Sequence, residues 1–324
     1  MKVLQKRKDT DFKILNLTDP QLNDPDWRED KAIRRELCDT VSYLVETASP
    51  DLITVSGDLS CAENYKSYEN LADLLSGFGV PWSFVFGNHD SQGGREATLR
   101  AVDILTSRPG CVFEAGPEEL GCGNFVIGIE EDGRMVHGVI MMDSHDRMSF
   151  TNKNGEEKNV WAELYPGQFP WYGEKISELE ALGAKESSII MHIPIYTYRD
   201  AIRAALKADI DPKSVSTLPG EQVGCWNEGY ENSFGVMLEG ICSYPRDNGF
   251  FEEILKYGNT KNLICGHDHI NNFSVVYRGV RFTYALKTGS GCYWDERLTG
   301  GTVMTVDSNG KMLVDHLFYS KKGV

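Results

Sequence analysis

The sequence has no apolar run approaching the ~18 residues of a membrane span, no C-x-x-C pair, no low-complexity tract, no internal repeat and no surplus of positive charge. Each absence excludes something. Without a spanning run, no membrane segment is expected. The opening MKVLQKRKDTDF lacks the apolar core of a signal peptide, so the expectation is a soluble, cytoplasmic chain. The eight cysteines (Cys38, Cys61, Cys111, Cys122, Cys225, Cys242, Cys265 and Cys292) have neither zinc-knuckle nor thioredoxin-type spacing, and reduced, partly buried thiols are expected. Lys and Arg number 33 against 48 Asp and Glu, a net charge of -15, which argues against a nucleic-acid backbone as partner. The one concentrated basic stretch, Lys6-Arg7-Lys8, reads as a solvated start to the chain.

What is present is an alternation of strand-like and helix-like segments. Phe12 to Leu17, Asp51 to Ser56 and Pro81 to Phe86 read as strands. Between them, Ile33, Leu37, Val41, Leu44 and Val45 mark one face of a helix that Pro50 stops, and residues 64 to 76 form a second amphipathic helix. This βαβαβ order implies a mostly parallel sheet with helices on its faces. Further strands are expected at 124–128, 136–142, 187–192 and 261–265, with a helix over 168–182. Four more strands (272–277, 280–286, 302–307 and 312–318) are joined by turns such as Arg278-Gly279 and Ser308-Asn309-Gly310, which is antiparallel hairpin chemistry. A mixed α/β sandwich therefore fits better than a pure doubly wound sheet. With no linker, residues 1–324 read as a single domain. A Gly-, Asn- and Glu-rich stretch within 196–245 reads as a lid or substrate insertion.

The strands share a way of ending. Leu15-Asn16-Leu17-Thr18 runs into Asp19-Pro20-Gln21, and Ile53-Thr54-Val55-Ser56 into Gly57-Asp58. Phe84-Val85-Phe86 runs into Gly87-Asn88-His89-Asp90, Ile189-Ile190-Met191 into His192, and Leu263-Ile264-Cys265 into Gly266-His267-Asp268-His269. Any one of these is an ordinary polar turn. Together they place carboxylates, amides and imidazoles at the carboxyl ends of parallel strands, where α/β sheets bind ligands. Such groups repel unless cations hold them. Carboxylate and amide oxygens suit hard divalent ions, and imidazole suits Zn, Fe or Mn.

The ordered blocks D-P-Q, G-D, G-N-H-D, H and G-H-D-H resemble those of the calcineurin-like metallophosphoesterases, whose pattern is D-x-H, G-D, G-N-H-[DE], H and G-H-x-H. The likeness runs from Asp19 to His269, and the texture of the insertion is most similar to Icc-type and fungal Dcr2-type phosphoesterases. The resemblance implies a four-layer αββα sandwich of two mixed sheets flanked by helices. It also implies a dinuclear phosphohydrolase that cleaves phosphomonoesters or phosphodiesters by attack of a metal-bridging hydroxide. By position, Asp19 and His269 would hold the first metal, Asp58 would bridge, and Asn88, His192 and His267 would hold the second. His89 would contact the phosphoryl group and protonate the leaving oxygen.

Two departures matter. Gln21 stands where the family usually has His. Its amide oxygen would make the first site weaker and turn it toward Mn or Mg, so Mn is the expected metal, with Fe, Zn or Mg as alternatives. Cys61 stands three residues after the bridging Asp, where purple acid phosphatases carry a Tyr, which argues against an iron–tyrosinate centre. His145, in Asp143-Ser144-His145-Asp146, is a candidate substrate contact, while His137 reads as an ordinary strand residue. Arg95 and Arg199 are within the repertoire of phosphate-binding forks, and Trp161, Trp171 and Trp294 read as packing residues. The expected partner is a small phosphoester substrate. The competing readings are a non-catalytic binding protein, for which Gln21 is the first sign, and a nuclease, which the acidity disfavours.

Overall fold

The structure is a computed structural model that describes residues 1–215 and 224–319. Fourteen strands are described: β1 (Lys2–Gln5), β2 (Phe12–Leu17), β3 (Leu52–Ser56), β4 (Trp82–Val85), β5 (Phe125–Glu131), β6 (Arg134–Met141), β7 (Arg147–Thr151), β8 (Glu157–Trp161), β9 (Glu186–Ile190), β10 (Thr260–Cys265), β11 (Ser274–Tyr277), β12 (Val280–Tyr284), β13 (Gly300–Val306) and β14 (Met312–Phe318). The α-helices are α1 (Ala32–Ala48), α2 (Tyr65–Gly77), α3 (Asn88–Ser91), α4 (Gly94–Thr106), α5 (Gln168–Ala181), α6 (Thr197–Ala205) and α7 (Phe250–Tyr257).

Two large mixed sheets stack face to face. One has the order β14-β13-β2-β3-β4 and the other β1-β5-β6-β9-β10-β12-β11. Period-two alternation sorts the side chains between layers. Phe12 and Ile14 of β2 join Ile127, Val139, Ile190 and Ile264 of the second sheet in a core between the sheets. Leu15 and Leu17 face the other way, onto Leu37, Val41 and Leu44 of α1 and Tyr68 and Leu71 of α2. On the far side, Ile189 and Leu263 pack under Ile176 of α5, Tyr198 of α6 and Phe250 of α7. The result is the four-layer αββα sandwich. It explains why β2, β3 and β4 read as near-continuous apolar runs, since both faces are covered.

The C-terminal strands form antiparallel hairpins, as their turns predict, but β11–β12 and β13–β14 belong to different sheets. The basic start is not a solvated tail. β1 pairs in parallel with β5, and Lys6 is buried, its Nζ 3.0 Å from Glu131 and donating to Ser308 Oγ at 2.8 Å. Neither the third, two-stranded sheet, β7–β8, nor α4 and α7 figured among the expected elements. Part of the expected insertion, residues 216–223, lies outside the described residues. Of its remainder, α6, Cys225, Ile241 and Tyr244 are packed or buried. No described helix is long and apolar enough to cross a membrane.

Candidate metal centre

β2, β3 and β4 run parallel in one sheet, and β9 and β10 run parallel in the other. Their carboxyl ends meet at one edge of the sandwich, so the five polar blocks converge there. Asp19, Asp58 and His269 bring ligand atoms within 4.8 Å of one another, all in buried residues. His269 Nε2 lies 3.3 Å from Asp19 Oδ1, and His192 Nε2 lies 3.3 Å from Asp58 Oδ1. Asn88 Oδ1 is 3.0 Å, and His267 Nδ1 3.3 Å, from His192 Nε2.

The backbone is bent to achieve this. Asp19, Gln21, Asp58 and His267 have φ of 53°, 45°, 48° and 80°. Non-glycine residues in this left-handed region carry strain that cooperative packing must overcome, and they concentrate at functional sites. Two glycines make the approach feasible. A Cβ on Gly57, at φ +91°, would lie 2.4 Å from His192 Nδ1, and one on Gly87 would lie 2.1 Å from Asp58 Oδ1. Any side chain there would displace a candidate ligand.

Tautomers follow from the partners. His192 Nδ1 sits 2.9 Å from the Ser56 carbonyl, and His269 Nδ1 sits 2.8 Å from the Tyr293 carbonyl. A carbonyl only accepts, so each Nδ1 carries a hydrogen, which leaves Nε2 as the atom turned to the cluster. Burial favours the neutral forms of Asp19 and Asp58, but the His269 and His192 imidazoles beside them hold both carboxyls below the usual range. Against the opposing pull of burial, Asp58 and then Asp19 raise His192 to about 10. Burial, then neighbouring His192, lowers His267 to about 3.

The donor set fits divalent ions. Asp19 Oδ1, Gln21 Oε1 and His267 Nε2 are buried without a hydrogen-bond partner among the described residues, which is costly for polar atoms with no further use. Asp19 Oδ2 is held by Thr18 Oγ1 at 2.6 Å and the His267 N–H at 3.2 Å, so Oδ1 is the oxygen left over. The backbone N–H of Gln21 donates to the Asp58 carbonyl at 3.1 Å.

His89 is half-buried, and its N–H donates to Asp58 Oδ1 at 2.9 Å. Asp90, which completes the block, is structural. It accepts from the N–H groups of Leu59, Ser60 and Gly87 and from the Tyr68 hydroxyl.

His145 is not brought into the cluster. Its Nε2 meets Gln168 Oε1 at 2.9 Å, and its ring stacks on Tyr165 at 3.6 Å. Arg95 pairs with Glu118, and Arg199 donates to Ser243 and the Ile241 carbonyl. His137 is buried on β6 between Gly310 O and Ser188 Oγ, as a strand residue should be. Cys61 is half-buried, and burial followed by the Asp58 charge pushes its thiol up to about 11.

Several neighbours had no local signal in the sequence. Lys287 is buried, and its Nζ donates to the Asp19 carbonyl at 2.6 Å. Burial lowers it to about 8 while the nearby carboxylates oppose that shift. Tyr293 stacks on His269 at 4.2 Å, and its hydroxyl donates to Glu239. Trp161, read as a packing residue, meets the His267 ring edge-on at 4.4 Å. Cys242 and Asp268 form a further group with His267, in which Asp268 accepts from Cys242 N–H and Tyr284 OH.

The profile of the calcineurin-like phosphoesterases matches residues 12–271, and the chain belongs to that family. It is 24% identical over 275 residues to an Arabidopsis thaliana protein named "Probable inactive purple acid phosphatase 14", covering 76% of this chain and 61% of that protein. A second Arabidopsis thaliana protein, "Probable inactive purple acid phosphatase 29", is 22% identical over 301 residues, covering 84% and 68%. The chain thus spans roughly two thirds or less of these relatives' length. Among solved structures, a dimetal phosphatase from Danio rerio shares the fold with a TM-score of 0.51 at 12% identity, covering 96% of this chain and 100% of that one.

Proposed function

We propose that this chain is a dinuclear metal-dependent phosphohydrolase. The observation that carries the reading is the convergence of Asp19, Asp58 and His269 from both sheets on one buried point, with Asp19 Oδ1 facing His269 Nε2 at 3.3 Å and Gln21 Oε1 without a hydrogen-bond partner. Asp19, Gln21 and His269 would hold one ion, Asn88, His192 and His267 the other, with Asp58 between them. Bound there, divalent ions supply Lewis acidity toward a phosphoryl group and an activated water for its displacement. The oxygen-rich first set favours Mn, with Fe, Zn or Mg as the alternatives.

The chain's own residues divide the remaining work. The carbonyls of Ser56 and Tyr293 fix the tautomers of His192 and His269. Lys287 draws the Asp19 backbone into place. His89, half-buried and tethered through its backbone N–H to Asp58, would hold a proton for the leaving oxygen. Substrates in this reading are small phosphomonoesters or phosphodiesters, with residues 1–324 acting as one domain and 196–245 as its substrate-reading insertion. Eight free thiols support a cytoplasmic setting.

A second reading, a weakly active or inactive binding protein, is favoured by one feature: Gln21, a weaker ligand than imidazole. The names of the two Arabidopsis thaliana relatives point the same way. Hydrolysis of phenyl phosphate by the Mn-loaded protein, abolished by chelation and by Asp58→Asn, is the expected result. No hydrolysis by protein holding two ions would favour the binding reading.

A further inference from the structure

The β7–β8 hairpin is hydrogen-bonded into neither large sheet, yet its base reaches the candidate metal centre. The carbonyl of Asp146 accepts the Ala162 N–H at 3.1 Å, closing the ladder, and the Asp146 carboxyl lies within electrostatic reach of His89 and Asp58. Cross-strand partners Arg147 and Trp161 sit at this end. Trp161 touches the His267 ring, and the Arg147 guanidinium covers the Trp161 face at 3.9 Å.

The second guanidinium of this wall, Arg246, lies 5.7 Å from both the Phe150 and the Tyr244 rings. Those two rings pack edge to face, joining the hairpin to the insertion. Both arginines are exposed, and neither forms a salt bridge or hydrogen bond with a described residue. Asp146 lies within electrostatic reach of Arg147 and Glu163 within reach of Arg246, with no bond in either case. Stacking limits the freedom of a guanidinium while leaving its five donors open. On a chain of net charge -15, two unbonded guanidiniums on the hairpin that reaches the candidate metal centre are a local source of positive charge.

We infer that the β7–β8 hairpin reads the leaving group, and that Arg147 and Arg246 select phosphoesters whose leaving group carries a second anionic group, a phosphate or a carboxylate. This rests on the phosphohydrolase reading above. The side follows from Trp161 against the His267 ring, with the Asp146 carboxyl within electrostatic reach of His89, the residue proposed to protonate the leaving oxygen; in this reading the hairpin rises where the leaving group departs. Two oxygens of a carboxylate or a phosphate match the guanidinium fork. Arg147 and Arg246 are specificity residues here, with no part in the bond cleavage.

The test compares phenylphosphonate with 1,4-phenylenebisphosphonate, which differ by one anionic group, by calorimetry on the Mn-loaded protein. The wild type should prefer the bisphosphonate by roughly tenfold, the size of an exposed charge-assisted contact. Arg147→Ala with Arg246→Ala should reduce that preference to about twofold or less at unchanged metal content, and Arg147→Lys should retain part of it. Arg246→Ala alone leaves the strand pair intact and should lower the preference even if the double variant misfolds. A wild type that hydrolyses phenyl phosphate but shows no preference, or variants that keep it, would overturn the leaving-group inference alone. A wild type that holds two ions yet neither hydrolyses phenyl phosphate nor binds either phosphonate would overturn the phosphohydrolase reading, and this one with it.

Discussion

The two sheets bring different chemistry to the same edge. The five-stranded sheet delivers oxygen donors, Asp19, Gln21, Asp58 and Asn88, followed by His89. The seven-stranded sheet delivers imidazoles, His192, His267 and His269. Neither sheet alone holds the whole of the candidate ligand set, so the proposed centre needs the sheets correctly stacked. The inter-sheet core built on Ile14, Val139, Ile190 and Ile264 is therefore part of the site's architecture as much as of the protein's stability. The outer helical layers bear on stability and only remotely on the site.

The largest effect should come from removing Asp58, the carboxylate proposed to lie between the two ions. Asp58→Asn is expected to lose nearly all hydrolytic activity together with bound metal, read by elemental analysis and phenyl phosphate turnover. His89→Ala should separate the functions, keeping the metals while turnover falls by roughly 10²–10⁴. A His89 variant at full turnover would show that another group handles the proton.

Packing sharpens the contrast between seam and outer layer. Ile264→Ala, between the sheets, and Leu71→Ala, under α2, each remove a fully buried side chain and should each cost about 2–5 kcal/mol in urea unfolding. Only Ile264→Ala should also weaken metal affinity. Equal metal affinity in the two variants would break the comparison.

The smallest effect concerns His137, whose folded-state value burial lowers to about 4 from the ordinary 6.5. The unfolded chain takes up this proton first. The associated stability is therefore whole above about pH 6.5 and is lost as pH falls from there toward 4. His137→Gln should flatten the stability slope in that window by up to about 1.4 kcal/mol per pH unit. An unchanged slope would mean that the ring is protonated in the folded state.

How much of this was legible before the fold is clearest at particular residues. Strand ends could be read because polar residues interrupt buried runs, and the interruptions recur in order from Asp19 to His269. The hairpin could not be read the same way. Arg147–Thr151 and Glu157–Trp161 are mostly exposed and bury no continuous face, so no hydrophobic period marks them. Lys6 looked solvated because its partners, Glu131 and Ser308, are remote in sequence. Lys287 and Tyr293 likewise act through the Asp19 and His269 loops, contacts that only tertiary structure creates. His145 had the right neighbours in sequence, yet Gln168 and Tyr165 claim its ring.

The central claim is that the seam holds two ions, with Gln21 completing the first set. Elemental analysis of protein purified without chelator from Mn- and Fe-supplemented medium tests it most directly. About two transition-metal ions per chain are expected, falling toward one in Gln21→Ala and remaining at two in Gln21→His. One ion or none in the wild type, or two ions undiminished in Gln21→Ala, would contradict it.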